Sequence, residues 1–146
     1  MTRPFRLLLI DDDLADLELT ARALAAQREP YELLTAASGE AALALLAQTR
    51  QDQARPDLIL LDLNMPGMHG LDVLSRLKEG ARTRTIPVVI LTTSDDHGDI
   101  ERAYHGHANG FVVKPSLLLD QQALMAGLLR YWTRTALTHW PEPRGD

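Results

Sequence analysis

Apolar residues along this chain fall into short unbroken runs, and each run ends on polar side chains. Leu7-Leu8-Leu9-Ile10 stops at Asp11-Asp12-Asp13, and Leu58-Ile59-Leu60-Leu61 stops at Asp62 before turning at Pro66-Gly67. Pro87-Val88-Val89-Ile90-Leu91 stops at Thr92-Thr93-Ser94, and Phe111-Val112-Val113 at Lys114-Pro115. Such runs, bounded by turn residues, predict strands covered on both faces. Tyr31 to Ala36 predicts one more. The stretches between them have helical spacing. Leu14, Leu17, Ala21, Leu24 and Ala25 share one face of a first helix, with Asp13 as its N-cap. Ser38-Gly39-Glu40 opens a second, with Ala42, Leu45 and Leu46 inward, and Leu71, Leu74, Leu77 and Lys78 mark a third ending near Gly80. Asp95 to His107 predicts a fourth helix with Ile100, Ala103 and Tyr104 inward. A long fifth is predicted over roughly Leu119 to Leu137, with Leu124, Leu128 and Tyr131 or Trp132 inward. Thr49 to Arg55 reads as a loop.

Strands alternating with helices imply an α/β fold, a doubly wound parallel five-stranded sheet with helices on both faces. Right-handed crossovers bring every strand's carboxyl end to one edge, where ligands of open α/β sheets gather. A length of 146 residues without repeat or linker fits one domain.

Composition narrows the function classes. Apolar content of 45% and charged content of 24% are ordinary for a globular domain. A net charge of −5 offers no basic patch for nucleic acid. The absence of cysteine removes disulfide and thiolate chemistry and suits a reducing compartment. Met1 to Arg6 leads into too short an apolar run for a signal peptide or membrane span. The expectation is a soluble cytoplasmic protein with no nucleic-acid or membrane partner.

The common edge then collects Asp11 and Asp12 from the first strand, Asp62 from the third, Thr92 from the fourth and Lys114 from the fifth. Taken singly, each has a plain structural reading: a solvated turn, a helix cap, a strand end. Their conjunction does not. Clustered carboxylates raise one another's pKa, and a hard divalent cation relieves the repulsion. Such a cation, an ammonium and a hydroxyl can together neutralise a transferring phosphoryl group. The set predicts covalent catalysis by a carboxylate, with Asp62 accepting the phosphoryl group.

These residues resemble the receiver domain of bacterial two-component response regulators over Arg6 to about Tyr131. The matching stretches are Leu8-Leu9-Ile10-Asp11-Asp12-Asp13, Asp62-Leu63-Asn64-Met65-Pro66-Gly67-Met68-His69-Gly70, Val89-Ile90-Leu91-Thr92-Thr93 and Gly110-Phe111-Val112-Val113-Lys114-Pro115. The resemblance implies a flavodoxin-like (βα)5 fold of strand order 2-1-3-4-5. It also implies a single receiver domain over 1–146, with a core of about 6–131 and an extension over about 132–146. Asp62 would be the phosphoacceptor. Mg²⁺ or Mn²⁺ would be bound directly by Asp12 and Asp62, by Asp11 through water, and by the Asn64 main-chain carbonyl. Lys114 would contact the phosphoryl group, and the Lys114-Pro115 bond would be cis. Thr92 and Phe111 would form the switch, the hydroxyl moving toward the phosphoryl group while the ring swings inward.

Three positions depart from the family's common pattern. Phe111 replaces a frequent tyrosine, and Thr93 is bulkier than the usual Ala, Gly or Ser. His107 replaces a glycine where φ is expected to be positive. Of the five histidines, only His105 and His107 are near neighbours. They give no ligand set for zinc and no phosphohistidine route.

The sequence after Lys114 has no basic recognition helix, so the expected output is protein contact through the fourth helix, fifth strand and fifth helix. Bulky residues in the last helix and beyond, including Tyr131, Trp132 and Trp140, serve either tail packing or a partner surface, and the working expectation is a homodimer through the fourth and fifth helices. Leu91 to Ser94, Asp99-Ile100, Ala103-Tyr104 and Tyr131-Trp132 resemble the stand-alone receivers that partner bacterial phytochrome histidine kinases. The implied partner is a sensor histidine kinase that docks beside Leu14 to Leu17. Alternatives are a phosphorelay intermediate or phosphate sink, and an aspartyl-phosphate phosphohydrolase. That hydrolase family has a second aspartate two residues after its nucleophile, where this chain has Asn64. Beyond its own phosphorylation and dephosphorylation, no enzyme activity is expected.

Overall fold

A computed structural model describes residues 4–48 and 55–135. The expected loop over residues 49–54, the helix beyond residue 135, His139 and Trp140 lie outside these residues. The order is β1 (Phe5–Ile10), α1 (Leu14–Ala25), β2 (Tyr31–Ala36), α2 (Gly39–Gln48), β3 (Leu58–Leu61), α3 (Gly70–Glu79), β4 (Val88–Thr92), α4 (His97–His105), β5 (Gly110–Val113) and α5 (Leu118–Arg130), then a π-helical turn over Tyr131–Thr135. The strands form one parallel sheet in the order β2-β1-β3-β4-β5. This is the flavodoxin-like arrangement.

The apolar runs of β1, β3 and β4 are strands because both of their faces are covered, whereas β5, at the sheet edge, is only half-buried and leaves Val113 41% exposed, against expectation. All four residues of β3 are fully buried. Leu8, Ile10, Ile59, Leu61, Val88 and Ile90 face one layer, packed on Ala42 and Leu46 of α2 and on Val73, Leu74 and Leu77 of α3. Leu7, Leu9, Leu58, Leu60, Val89 and Leu91 face the other, packed on Leu24 of α1 and on Met125 and Leu129 of α5. Asp13 caps α1 by accepting from the Ala15 N–H, and Ser38 accepts from Ala41 N–H at the start of α2.

The helix faces depart from expectation at several points. In α1 the buried residues are Thr20 and Leu24, while Leu14 is 76% exposed and Ala21 and Ala25 are exposed. This helix carries apolar side chains nearly all round, so spacing alone could not fix which stripe meets the sheet. Tyr104 lies outward at 51% exposure, because α4 turns the small Ala103 to the sheet. In α5 the buried face is Met125 and Leu129, with Leu124, Leu128 and Trp132 half-buried beside it and Tyr131 exposed.

The long final helix does not run on unbroken. The Thr133 hydroxyl donates to the Leu129 carbonyl over 2.7 Å. That side-chain bond competes with the backbone ladder, and the chain widens into the π turn. Arg134 there pairs with Glu29 before β2 at 2.8 Å. The described residues contain no cis peptide, so Lys114-Pro115 is trans, against expectation. Trans is the lower-energy form even before proline. His107 does adopt a positive φ of 71°.

Candidate functional site

Register places the site. Ile10 stands opposite Leu61 in adjacent parallel strands, so the residues that follow, Asp11 and Asp62, leave the sheet side by side. The Asp62 N–H donates to the Ile10 carbonyl at 3.0 Å, and the Asp11 N–H to the Ala36 carbonyl at 3.0 Å. Thr92 ends β4, and its carbonyl accepts from the Lys114 N–H at 2.7 Å. Behind Asp62, the start of α3 comes so close that a Cβ at Gly70 would lie 2.6 Å from the Asp62 carbonyl oxygen. Only glycine permits that approach, and it fixes the backbone from which Asp62 projects.

Carboxylate oxygens of Asp11, Asp12 and Asp62 lie within 4.8 Å of one another. Asp11 and Asp62 are buried, whereas Asp12 faces solvent. The Asn64 N–H donates to Asp62 Oδ1 at 3.2 Å, and the Asp13 N–H donates to Asp11 Oδ1 at 2.9 Å. Thr92 is fully buried, and its hydroxyl oxygen accepts from the Asn64 side-chain amide at 3.1 Å and from the Ser94 N–H at 3.3 Å. Ser94 in turn donates to Asp99 of α4 at 2.8 Å, and Arg102 pairs with the same carboxylate at 2.6 Å. Phe111 is half-buried against the α2/α3 layer.

The Lys114 ammonium lies at 3.2 Å from Asp11 Oδ2 and also pairs with Asp16 in the first turn of α1. Among the described residues Asp62 is not one of its ion-pair partners. Burial, with the hydrogen bond to Asp16 next, pushes the Asp11 carboxyl up to about 7, against the pull of the Asp13 N–H and Lys114. Burial also raises Asp62, opposed by Lys114 and the Asn64 N–H. Asp16 goes the other way: burial works against its charge, but hydrogen bonds with Asp11 and Lys114 outweigh it and hold the carboxyl low. Lys114 pays a desolvation cost and is still raised, because Asp16, Asp11 and Asp62 surround it.

This donor set fits a hard divalent cation. Three carboxylates converge on one point, and burial disfavours the charged form of Asp11 and Asp62, so a proton or a cation must answer the negative charge gathered there.

The sequence reading brought Asp11, Asp12, Asp62, Thr92 and Lys114 to one edge, and they meet there. It missed Asp16 and the Asn64 side-chain bond to Thr92. The signal for Asp16 was its place in the first turn of a helix that starts at that edge. Among the histidines, His69 caps α3 by accepting from the Leu71 N–H at 3.1 Å, and His105 lies 3.9 Å from Glu101.

Residues 7–128 match the family model of the response regulator receiver domain. The chain belongs to this family. The receiver is 36% identical over 134 residues to response regulator Rcp1 of Synechocystis, covering 90% of this chain and 91% of that protein. The crystal structure of the phosphorylated cyanobacterial phytochrome response regulator RcpA superposes with a TM-score of 0.87 at 36% identity, covering 92% of this receiver and 98% of that chain. The Mn²⁺-bound form of Rcp1 gives 0.86 at 35%, with the same coverage.

Proposed function

We propose that this receiver takes a phosphoryl group from a histidine kinase onto Asp62 and passes the signal on by protein contact. The observation that carries the proposal is the meeting of three carboxylates, a buried ammonium and a buried hydroxyl at one sheet edge. Asp62 Oδ1 accepts the Asn64 N–H, and Oδ2 takes no hydrogen bond from the described residues, which suits a nucleophile. The carboxylate oxygen attacks phosphorus, the bond from phosphorus to the donor breaks, and its electron pair leaves with the donor. Asp12 and Asp62 would hold Mg²⁺ or Mn²⁺ directly, with Asp11 acting through water and Asn64 through its main-chain carbonyl. The bound cation supplies charge neutralisation for the incoming phosphoryl oxygens. Lys114 contributes a second positive charge and Thr92 a hydroxyl donor.

The switch is Thr92 with Phe111. When the Thr92 hydroxyl turns toward a phosphoryl group on Asp62, it leaves the Asn64 amide and the Ser94 N–H, and Ser94 is bonded to α4 through Asp99. The change is thereby carried to the face made by α4, β5 and α5, which also serves as the homodimer contact. Kinship with Rcp1 and RcpA, one a phytochrome response regulator by its description, supports a bacterial phytochrome as the kinase and the cytoplasm as the setting. Exposed Leu14 beside the acidic edge suits kinase docking at the start of α1.

The test is incubation with Mg²⁺ and acetyl phosphate, followed by intact mass. Wild type gains one phosphoryl group and Asp62→Asn gains none; equal labelling of the two would place the acceptor elsewhere.

A further inference from the structure

The acidic edge contains a carboxylate for which phosphoryl transfer to Asp62 has no use. Asp16 projects from the first turn of α1, its side chain only 14% exposed, and it pairs with Lys114, itself 10% exposed. It joins the site across 98 residues of chain. The ammonium thus sits between Asp16 and Asp11, on the α1 side of the edge, while Asp62 is outside ion-pair range among the described residues. Asp62 still acts on Lys114 through its charge, so the two are near neighbours that do not touch.

We propose that Asp16 is a positioning residue that parks the Lys114 ammonium away from the phosphoacceptor, so that phosphoryl uptake requires the ammonium to leave Asp16. This rests on Asp62 being the acceptor. A lysine ammonium is a compact charge on a flexible four-carbon stem, with three donors to distribute. It can pivot between carboxylates along one edge without moving the backbone. Uptake from acetyl phosphate forms a bond between an Asp62 oxygen and phosphorus and breaks the bond from phosphorus to the bridging oxygen, whose electron pair departs as acetate. No proton moves, and Lys114 stays charged throughout. Negative charge therefore grows at Asp62 while it stays constant at Asp16, and the ammonium is drawn across. Asp16 sets how far that transfer has to be pulled. The competent arrangement is populated only in part while Asp16 holds the charge, and uptake is slowed by that fraction. A cation drawing on Asp11 leaves Asp16 as the main competitor. Asp16 accordingly tunes the rate without touching the reacting atoms.

The test uses the full chain with Mg²⁺ and acetyl phosphate, following the phosphorylated fraction by intact mass at low and high KCl. Asp16→Asn keeps the shape and removes the charge, and its uptake is expected to be faster by on the order of tenfold. The gain persists at high salt, because a contact this buried is little screened. Asp16→Glu restores the parking charge and behaves as wild type. Glu18→Gln, which removes a charge from the exposed side of the same helix, also behaves as wild type. Asp16→Ser is carried alongside in case the amide perturbs folding, and it shows the same gain. In metal-free protein without phosphodonor, the Lys114 Cε resonance moves in Asp16→Asn and not in Glu18→Gln. The proposal is overturned if folded Asp16→Asn and Asp16→Ser take up phosphoryl at the wild-type rate or slower. It is also overturned if Glu18→Gln shares the gain, if salt abolishes it, if Asp16→Glu shows it too, or if the Lys114 resonance stays in place. Asp62→Asn separates the two levels. If it is labelled like wild type, the acceptor assignment fails; if it stays unlabelled while Asp16→Asn matches wild type, only the parking role fails.

Discussion

The side-chain amide of Asn64 donates to the hydroxyl of Thr92 over 3.1 Å, so the residue two places after the proposed phosphoacceptor restrains the hydroxyl that would respond to it. Asn64 lies in the loop after β3 and Thr92 at the end of β4, and the bond ties the two adjacent strand ends together. The Ser94 N–H holds the same oxygen from the other side.

Removing the amide should loosen that hold. Asn64→Ala deletes one neutral hydrogen bond, worth about 1 kcal/mol, from the hydroxyl in the position held by Asn64 and Ser94 only. The inward rotamer of Thr92 should gain about fivefold in relative population in unphosphorylated protein. Methyl NMR of Thr92 reads this directly, and an unchanged methyl shift would count against Asn64 as a restraint.

Lys114 is the positive charge between the buried Asp11 and the half-buried Asp16, and its loss leaves them facing each other. In metal-free protein at neutral pH, Lys114→Met should cost about 3 kcal/mol, the scale for breaking a buried pair. Saturating Mg²⁺ should recover part of that loss, because a cation drawn to Asp11 answers the same charge. Urea unfolding with and without Mg²⁺ measures both. A cost below about 1 kcal/mol, as for an exposed pair, would mean the pair is not closed in solution.

Proton linkage gives the metal-free protein a definite pH response. Asp11 titrates at about 7 when folded against 3.8 as an ordinary carboxyl. Between those values the folded state binds more protons than the unfolded chain, so stability falls as pH rises through the window. Asp62, also raised, acts in the same direction. Asp16 is lowered, so its contribution is present above its ordinary value and is lost only as pH falls through its folded value. The thermal midpoint without divalent cation should therefore decline from about pH 4 to about pH 7, and Mg²⁺ should flatten the decline. A midpoint that rises over this interval in metal-free buffer would contradict the burial of Asp11.

His107 sits in the left-handed region at φ 71°. Side chains with a Cβ are disfavoured there by about 1–2 kcal/mol, and glycine returns part of that through its looser unfolded chain. His107→Gly should stabilise the protein by up to about 1 kcal/mol, read as a higher urea midpoint at unchanged slope. Destabilisation would show that the imidazole makes a contact worth more than the strain.

The left-handed turn at His107 was legible in the sequence, as were the five strands and the meeting of Asp11, Asp12, Asp62, Thr92 and Lys114. The strands and the site followed from local signals, an apolar run and a polar residue at its end; the turn at His107 followed from the resemblance, which has glycine there. What was not legible depended on phase or distance. Helix α1 has apolar side chains on several faces, so only the packed sheet decides that Thr20 faces inward and Ala21 does not. The π turn coincides with a hydrogen bond from the Thr133 hydroxyl to a carbonyl of the preceding turn, a choice that apolar spacing does not report. Asp16 looks like an ordinary first-turn acid until β5 brings Lys114 against it.

That pairing also sets an order of events during translation. The acidic side chains leave the ribosome first, and the lysine that balances them is made 98 residues after Asp16. Until β5 adds to the edge of β4, Asp11 and Asp16 are without the ammonium that pairs with both of them in the folded domain. Strand β5 therefore does more than complete the sheet: it carries in the ammonium that pairs with Asp11 and Asp16 and so lessens the like charge at the acidic corner.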